Sequence, residues 1–194
     1  MIVELRQYTL RPGTRDRFVD LFDTCFVESQ EELGMSVLGQ LRDLDDPDRY
    51  VWLRAFPDME VRRRALEAFY LAPAPAWRDH GPEAVAMMID SDDVLLLRPA
   101  AGWEPPATTS RSPVGTTEAP AAEVVVTVWP GTVKLAGSHL VTAHEVNDFP
   151  ALPVRDEEVT VAIGPHPPVD AVPLQVLRLQ PTPRSALRWS GRVR

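Results

Sequence analysis

The chain opens on "VELRQYTL", Val3 to Leu10, where Val3 and Leu5 alternate with Glu4, Arg6 and Tyr8 until Pro12-Gly13 stops the run. Such period-two alternation predicts a strand with two unlike faces. Behind Thr14, an N-cap residue type, Phe18, Leu21, Phe22, Cys25, Phe26 and Leu33 recur at helical spacing as far as Gly34. A second strand is expected near Ser36 to Arg42, ahead of the turn "DLDDPD". The third, "RYVWLRAF", sets Tyr50, Trp52, Arg54 and Phe56 against Val51, Leu53 and Ala55. Asp58 is placed to cap a second helix through Val61, Leu66 and Phe69, which "APAPA" interrupts. Helical spacing resumes from Trp77 to Met88, and "VLLLRP" reads as a fourth strand. The order β-α-β-β-α-β is the ferredoxin-like split motif.

Between residues 101 and 122 the pattern dissolves into Pro, Ala, Thr and Ser, the composition of a mobile linker. Four strand-like runs follow: "EVVVTVWP", "SHLVTAHEV", "EEVTVAIGP" and "LQVLRLQP". The stretches between them leave no room for helices of useful length. The organisation expected is a ferredoxin-like repeat over 1–100, a linker over 101–122, and over 123–194 a degenerate four-stranded repeat that has lost its helices. The fold class is α+β, with the two sheets forming one intrachain barrel.

Composition narrows the function. The chain has 194 residues with a formal charge of −8, and Lys134 is its only lysine. An acidic chain without a basic stripe is not built for nucleic acid. The single cysteine, Cys25, allows no intrachain disulfide and sits in an apolar helical stripe, the setting of an inert structural thiol. No signal-peptide pattern or apolar run of spanning length appears, so a cytoplasmic location away from membranes is expected.

The runs "ELRQYTLRPG", "LGQLRDLDDPDRYVWLRAFPDM", "AWRDH" and "DSDDVLLLRPA" resemble the NIPSNAP family. "NDFPALPVRDEEVTV" and "LRLQPTPRSALR" resemble the second half of its tandem-repeat bacterial members, which normally keep both helices there. The resemblance implies a dimeric α+β-barrel fold. Relatives with that barrel include antibiotic-biosynthesis monooxygenases, haem-degrading oxygenases, isomerases and polyketide cyclases, so it does not choose a reaction.

Chemistry is expected on the polar face of the first sheet. With Val3, Leu5, Val51 and Leu53 turned toward the helices, Arg6, Tyr8, Tyr50, Trp52 and Arg54 would face the barrel. Two arginines among three aromatics can clamp an anionic aromatic ligand. They can equally pair with acidic residues and tie the sheets together. Opposite them, Thr160, Ala162 and Gly164 would present a small-residue face. His80, sharing a helix face with Trp77, is the candidate base or haem ligand, with Gln7 on the first strand within its reach. The alternative for His80 is to cap a helix that restarts at Gly81-Pro82. No zinc-ligand spacing, phosphate loop or nucleophile elbow occurs. No cofactor is therefore expected, haem being the one open alternative.

Two functions from different classes emerge. One is a binder of a small, partly aromatic metabolite, with metal-independent oxygenase, isomerase or cyclase chemistry. The other is a non-catalytic interaction module with a packed barrel. Because Val159, Val161 and Ile163 lack helical cover in this reading, the outer face of the second sheet is expected to form a homodimer.

Overall fold

β1 (Ile2–Leu10) is followed by a helical arm made of α1 (Arg15–Leu21), a π-helical turn (Phe22–Phe26) and α2 (Val27–Glu31). β2 (Ser36–Asp43) and β3 (Arg49–Phe56) lead to α3 (Met59–Leu66), which also runs into a π-helical turn (Glu67–Leu71). α4 (Pro75–Met87) and β4 (Met88–Ala100) complete the β-α-β-β-α-β order. The second half contributes β5 (Val124–Pro130), β6 (His139–Thr142), β7 (Val159–Ile163) and β8 (Gln175–Pro181). This computed structural model describes residues 1–72, 74–100, 102–105, 111–164 and 169–187.

Local chemistry accounts for most boundaries. The Asp58 carboxylate accepts from the Val61 amide, an N-cap that offsets one orphan N–H of α3. Thr14 instead donates its hydroxyl back to the Arg11 carbonyl, so α1 starts without a side-chain cap. Gly34 ends the first arm at φ +91°, where a Cβ would be strained.

The eight strands close into one barrel in the order β1-β3-β2-β8-β5-β7-β6-β4, every pair antiparallel. The two four-stranded sheets are joined at their edges. β2 pairs with β8 through Leu41 opposite Pro181, and β4 with β6 through Leu97 opposite Thr142. Closure removes the free edges that two separate sheets would expose.

The barrel interior is aliphatic. Val3, Leu5, Val51, Leu53 and Leu97 from the first sheet meet Val126, Val161, Leu177 and Leu179 from the second. This inverts the orientation expected from sequence: Arg6, Tyr8, Tyr50, Trp52 and Arg54 lie beneath the helices. Branched aliphatic side chains fill a narrow cylinder without polar atoms to satisfy, whereas on the outer face Glu4 of β1 and the amides and rings of the helical arms meet the large polar residues.

The same geometry corrects the second sheet. Val159 and Val161 are buried in the barrel core, and Ile163 packs against it; Thr160 and Ala162 take the outer face. Val159, Val161 and Ile163 therefore form no apolar outer face, contrary to the expectation that a homodimer forms through them. Trp103, from the Pro-rich stretch, packs on the barrel core. Residue 101 and residues 106–110 of that stretch lie outside the described residues. Its Arg111 is anchored, donating to the carbonyls of Val37 and Arg184 and pairing with Glu31 at 2.8 Å. Among the described residues no helix is long and apolar enough to cross a membrane.

Candidate functional site

A cavity of about 230 Å³ lies between the outer face of β1 and β3 and the helical arms. Its floor is Arg6, Tyr8 and Trp52. Both π-helical turns border it, the first with Phe22 and Phe26 and the second with Phe69 and Tyr70. A π-turn widens the backbone by one residue and recurs at functional sites. Here each turn brings two neighbouring rings onto the same wall. Trp77 of α4 closes against Tyr70 at 4.7 Å and against Phe26 and Phe69 at 5.6 Å between ring centroids. Gly81 makes this possible, because a Cβ there would stand 2.8 Å from the Trp77 indole.

Below the floor runs a buried charge cluster. Glu4 accepts from Arg6 at 2.9 Å and Arg54 at 2.7 Å through one oxygen, and from Arg62 at 2.8 Å through the other. All four side chains are almost wholly buried. Burial pushes the Glu4 carboxyl up, but Arg54, Arg6 and Arg62 together outweigh it and hold the group well below the usual carboxylate range. Arg62 also donates to Asp148 at 2.5 Å, while Arg54 donates to Gln30 and Tyr70. Trp52 lies between two guanidinium carbons, 5.6 Å from that of Arg6 and 5.0 Å from that of Arg54.

The polar groups around the cavity are mostly donors. The Tyr8 hydroxyl accepts from Arg6 Nε, and the Tyr70 hydroxyl accepts from Arg54, so the phenolic protons of both remain to donate. Arg6 uses Nε and Nη1 on Tyr8 and Glu4. Trp52 Nε1 and Arg54 Nη2 are buried with no hydrogen-bond partner.

The structure thus brings Arg6, Tyr8, Trp52 and Trp77 to one cavity, with Arg54 in the charge cluster beneath it. Tyr50 stacks farther along the same face against Phe18 and Phe22. Two expected participants lie elsewhere. Gln7 points to the barrel side, where it exchanges hydrogen bonds with Gln175 at 2.8 and 3.0 Å. His80 does not line the cavity. It sits within α4, which continues unbroken past Gly81 and Pro82, so no helix restarts there for it to cap. Among the described residues no group of three or more His, Cys, Asp or Glu side chains is arranged to hold a metal ion.

Sequence reading passed over Glu4, Arg62 and the aromatic walls. The spacing of Phe18, Phe22 and Phe26 signals a buried face but not a cavity wall. Phe149 and Leu152 come from the connection between β6 and β7, which has no local periodicity.

No curated protein matches the chain. A putative monooxygenase from Lactobacillus acidophilus has a similar structure, with a TM-score of 0.52 and 10% identity over 95% of this chain and 97% of that one. At that identity the likeness shows the shared fold, extending over both sheets. Two NIPSNAP-domain structures from Burkholderia xenovorans, 23% and 25% identical, each superpose at a TM-score of 0.47 on 54% of this chain and on 99% and 89% of their own. The NIPSNAP family profile matches residues 3–102, just over half of the sequence, and the chain belongs to the NIPSNAP family.

Proposed function

We propose that the cavity binds a small aromatic compound bearing one anionic oxygen group, a carboxylate or an enolate. The observation that carries this reading is the charge balance under the floor. Three buried guanidiniums face two carboxylates, Glu4 and the partly exposed Asp148, leaving one positive charge without a counterpart. A buried charge is stable when paired, and a ligand anion at Arg6 supplies the pair. The aromatic walls suit a flat ring system. The volume is below the ~300–1,000 Å³ of drug-sized sites, which favours one or two rings.

If the protein is a catalyst, the same donors stabilise negative charge developing on a carbonyl oxygen, as an oxygenase, isomerase or cyclase acting on an enolisable ring requires. Burial pushes the Tyr70 hydroxyl above its ordinary pKa, although Arg54 pulls it down. Tyr70 is therefore protonated at neutral pH and serves as a donor, not a base.

Thermal unfolding with benzoate, 2-naphthoate and the uncharged 2-naphthamide tests the reading. Ligand at a hundredfold excess over Kd adds about 2.7 kcal/mol, a rise of roughly 5–10 °C for a chain of this size. The acids should shift Tm and the amide should not. Tyr8→Phe, which removes one donor, should weaken acid binding about tenfold, the value of a hydrogen bond to a charged group. Equal shifts for acid and amide, or none for any, would overturn the anion assignment.

A further inference from the structure

The second half of the chain does more than close the barrel. Between β6 and β7 the chain leaves the sheet, turns at His144 in the left-handed region (φ +56°), and crosses to the first repeat. Its two ends are tied to β4, by the Ala143 amide on the Leu96 carbonyl and the Arg155 amide on the Val94 carbonyl. Between these ties, Phe149, Ala151 and Leu152 form one wall of the cavity. Phe149 is 3% exposed and faces the Tyr70 ring at 6.2 Å with a tilt of 33°. The segment is braced internally: Asn147 accepts from the Phe149 amide and donates to the Leu152 carbonyl.

One side chain of the first repeat grips this brace. Arg62 of α3, fully buried, donates to Asn147 at 3.2 Å and to Asp148 at 2.5 Å, while its Nε holds Glu4. The wall is therefore joined through Arg62 and Glu4 to Arg6 on the floor. No other ion pair ties the segment to the helices among the described residues.

We propose that residues 145–155 are the specificity wall of the cavity, with Phe149 limiting ligand length and Arg62 and Asp148 acting as positioning residues that hold it shut. The inference rests on the proposed ligand site for its consequence, but not for its geometry. With no helix between β6 and β7, this connection is free to reach the cavity beside the first sheet.

Amide hydrogen exchange and probe binding test it separately. In Asp148→Ala, exchange at Asn147 to Leu152 should quicken at least tenfold, and by much more than at the β1 and β3 amides. Asp148→Glu, which keeps the charge, should restore most of the protection. In Phe149→Ala, the affinity ratio of 2-naphthoate to benzoate should rise at least fivefold, because only the longer ring reaches the vacated space. A purely structural Phe149 would weaken both probes alike. Unchanged exchange in Asp148→Ala, or loss of protection spread evenly over the barrel, overturns the latch. An unaltered probe ratio overturns the specificity role. If the unmodified protein binds neither probe while exchange responds as expected, the ligand assignment falls and the latched wall stands.

Discussion

Glu4→Gln should destabilise the protein by about 3–5 kcal/mol, the cost of removing one partner from a buried ion pair. Glutamine fits the space, so packing changes little, but three guanidiniums lose the carboxylate that both of its oxygens bring to them. Asp148 reaches only Arg62 and cannot replace it. The same group predicts a pH dependence. The folded carboxyl is held well below its unfolded value of about 4.3, so its contribution is fully present above that value. It is lost as pH falls through the unfolded value toward the lower folded one. Urea unfolding midpoints from pH 7 to pH 3 should therefore decline more steeply for the unmodified protein than for Glu4→Gln. Parallel slopes, or a variant within 1 kcal/mol of the parent at pH 7, would mean that the arginines find other partners.

The strands of the first half were legible because β1 and β3 alternate, and "RYVWLRAF" delimits β3 at both ends. What alternation cannot say is which face turns inward. Val51 and Leu53 look like a helix-facing surface because helices usually cover aliphatic residues. The barrel took them instead, since eight strands enclose a cylinder that side chains must fill without unpaired polar atoms. Arg6, Tyr8 and Trp52 could be picked out as a group from their shared face, yet the chemistry they meet was hidden. Arg62 belongs to "VRRRAL", where it looks like part of a solvated basic run, and only α3 packing over β1 buries it against Glu4. Phe149 was hidden for a different reason. Its position depends on Asn147, Asp148 and a side chain more than eighty residues away, and long-range contacts of that kind leave no periodic trace.

The orientation of the second sheet gives the other large effect. Val161 is fully buried, pairing with Val128 and Leu140 on neighbouring strands and packing into the barrel core. Val161→Glu would place a carboxylate among aliphatic side chains with no partner, a cost of several kcal/mol or protonation of the group. The expected result is loss of cooperative unfolding and aggregation. Val176 on β8 points the opposite way and is 52% exposed, so Val176→Glu should alter stability by no more than about 0.5 kcal/mol. Val161→Thr, nearly the same shape with an unsatisfied hydroxyl, should fall between them at about 1–3 kcal/mol and remain measurable. Circular dichroism with light scattering separates this from an interface role. A valine in a dimer contact would give a folded monomer when charged, with secondary structure intact. A folded, soluble Val161→Glu would place that side chain outside the barrel, whereas collapse of this variant beside an unaffected Val176→Glu is what an aliphatic interior closed by all eight strands demands.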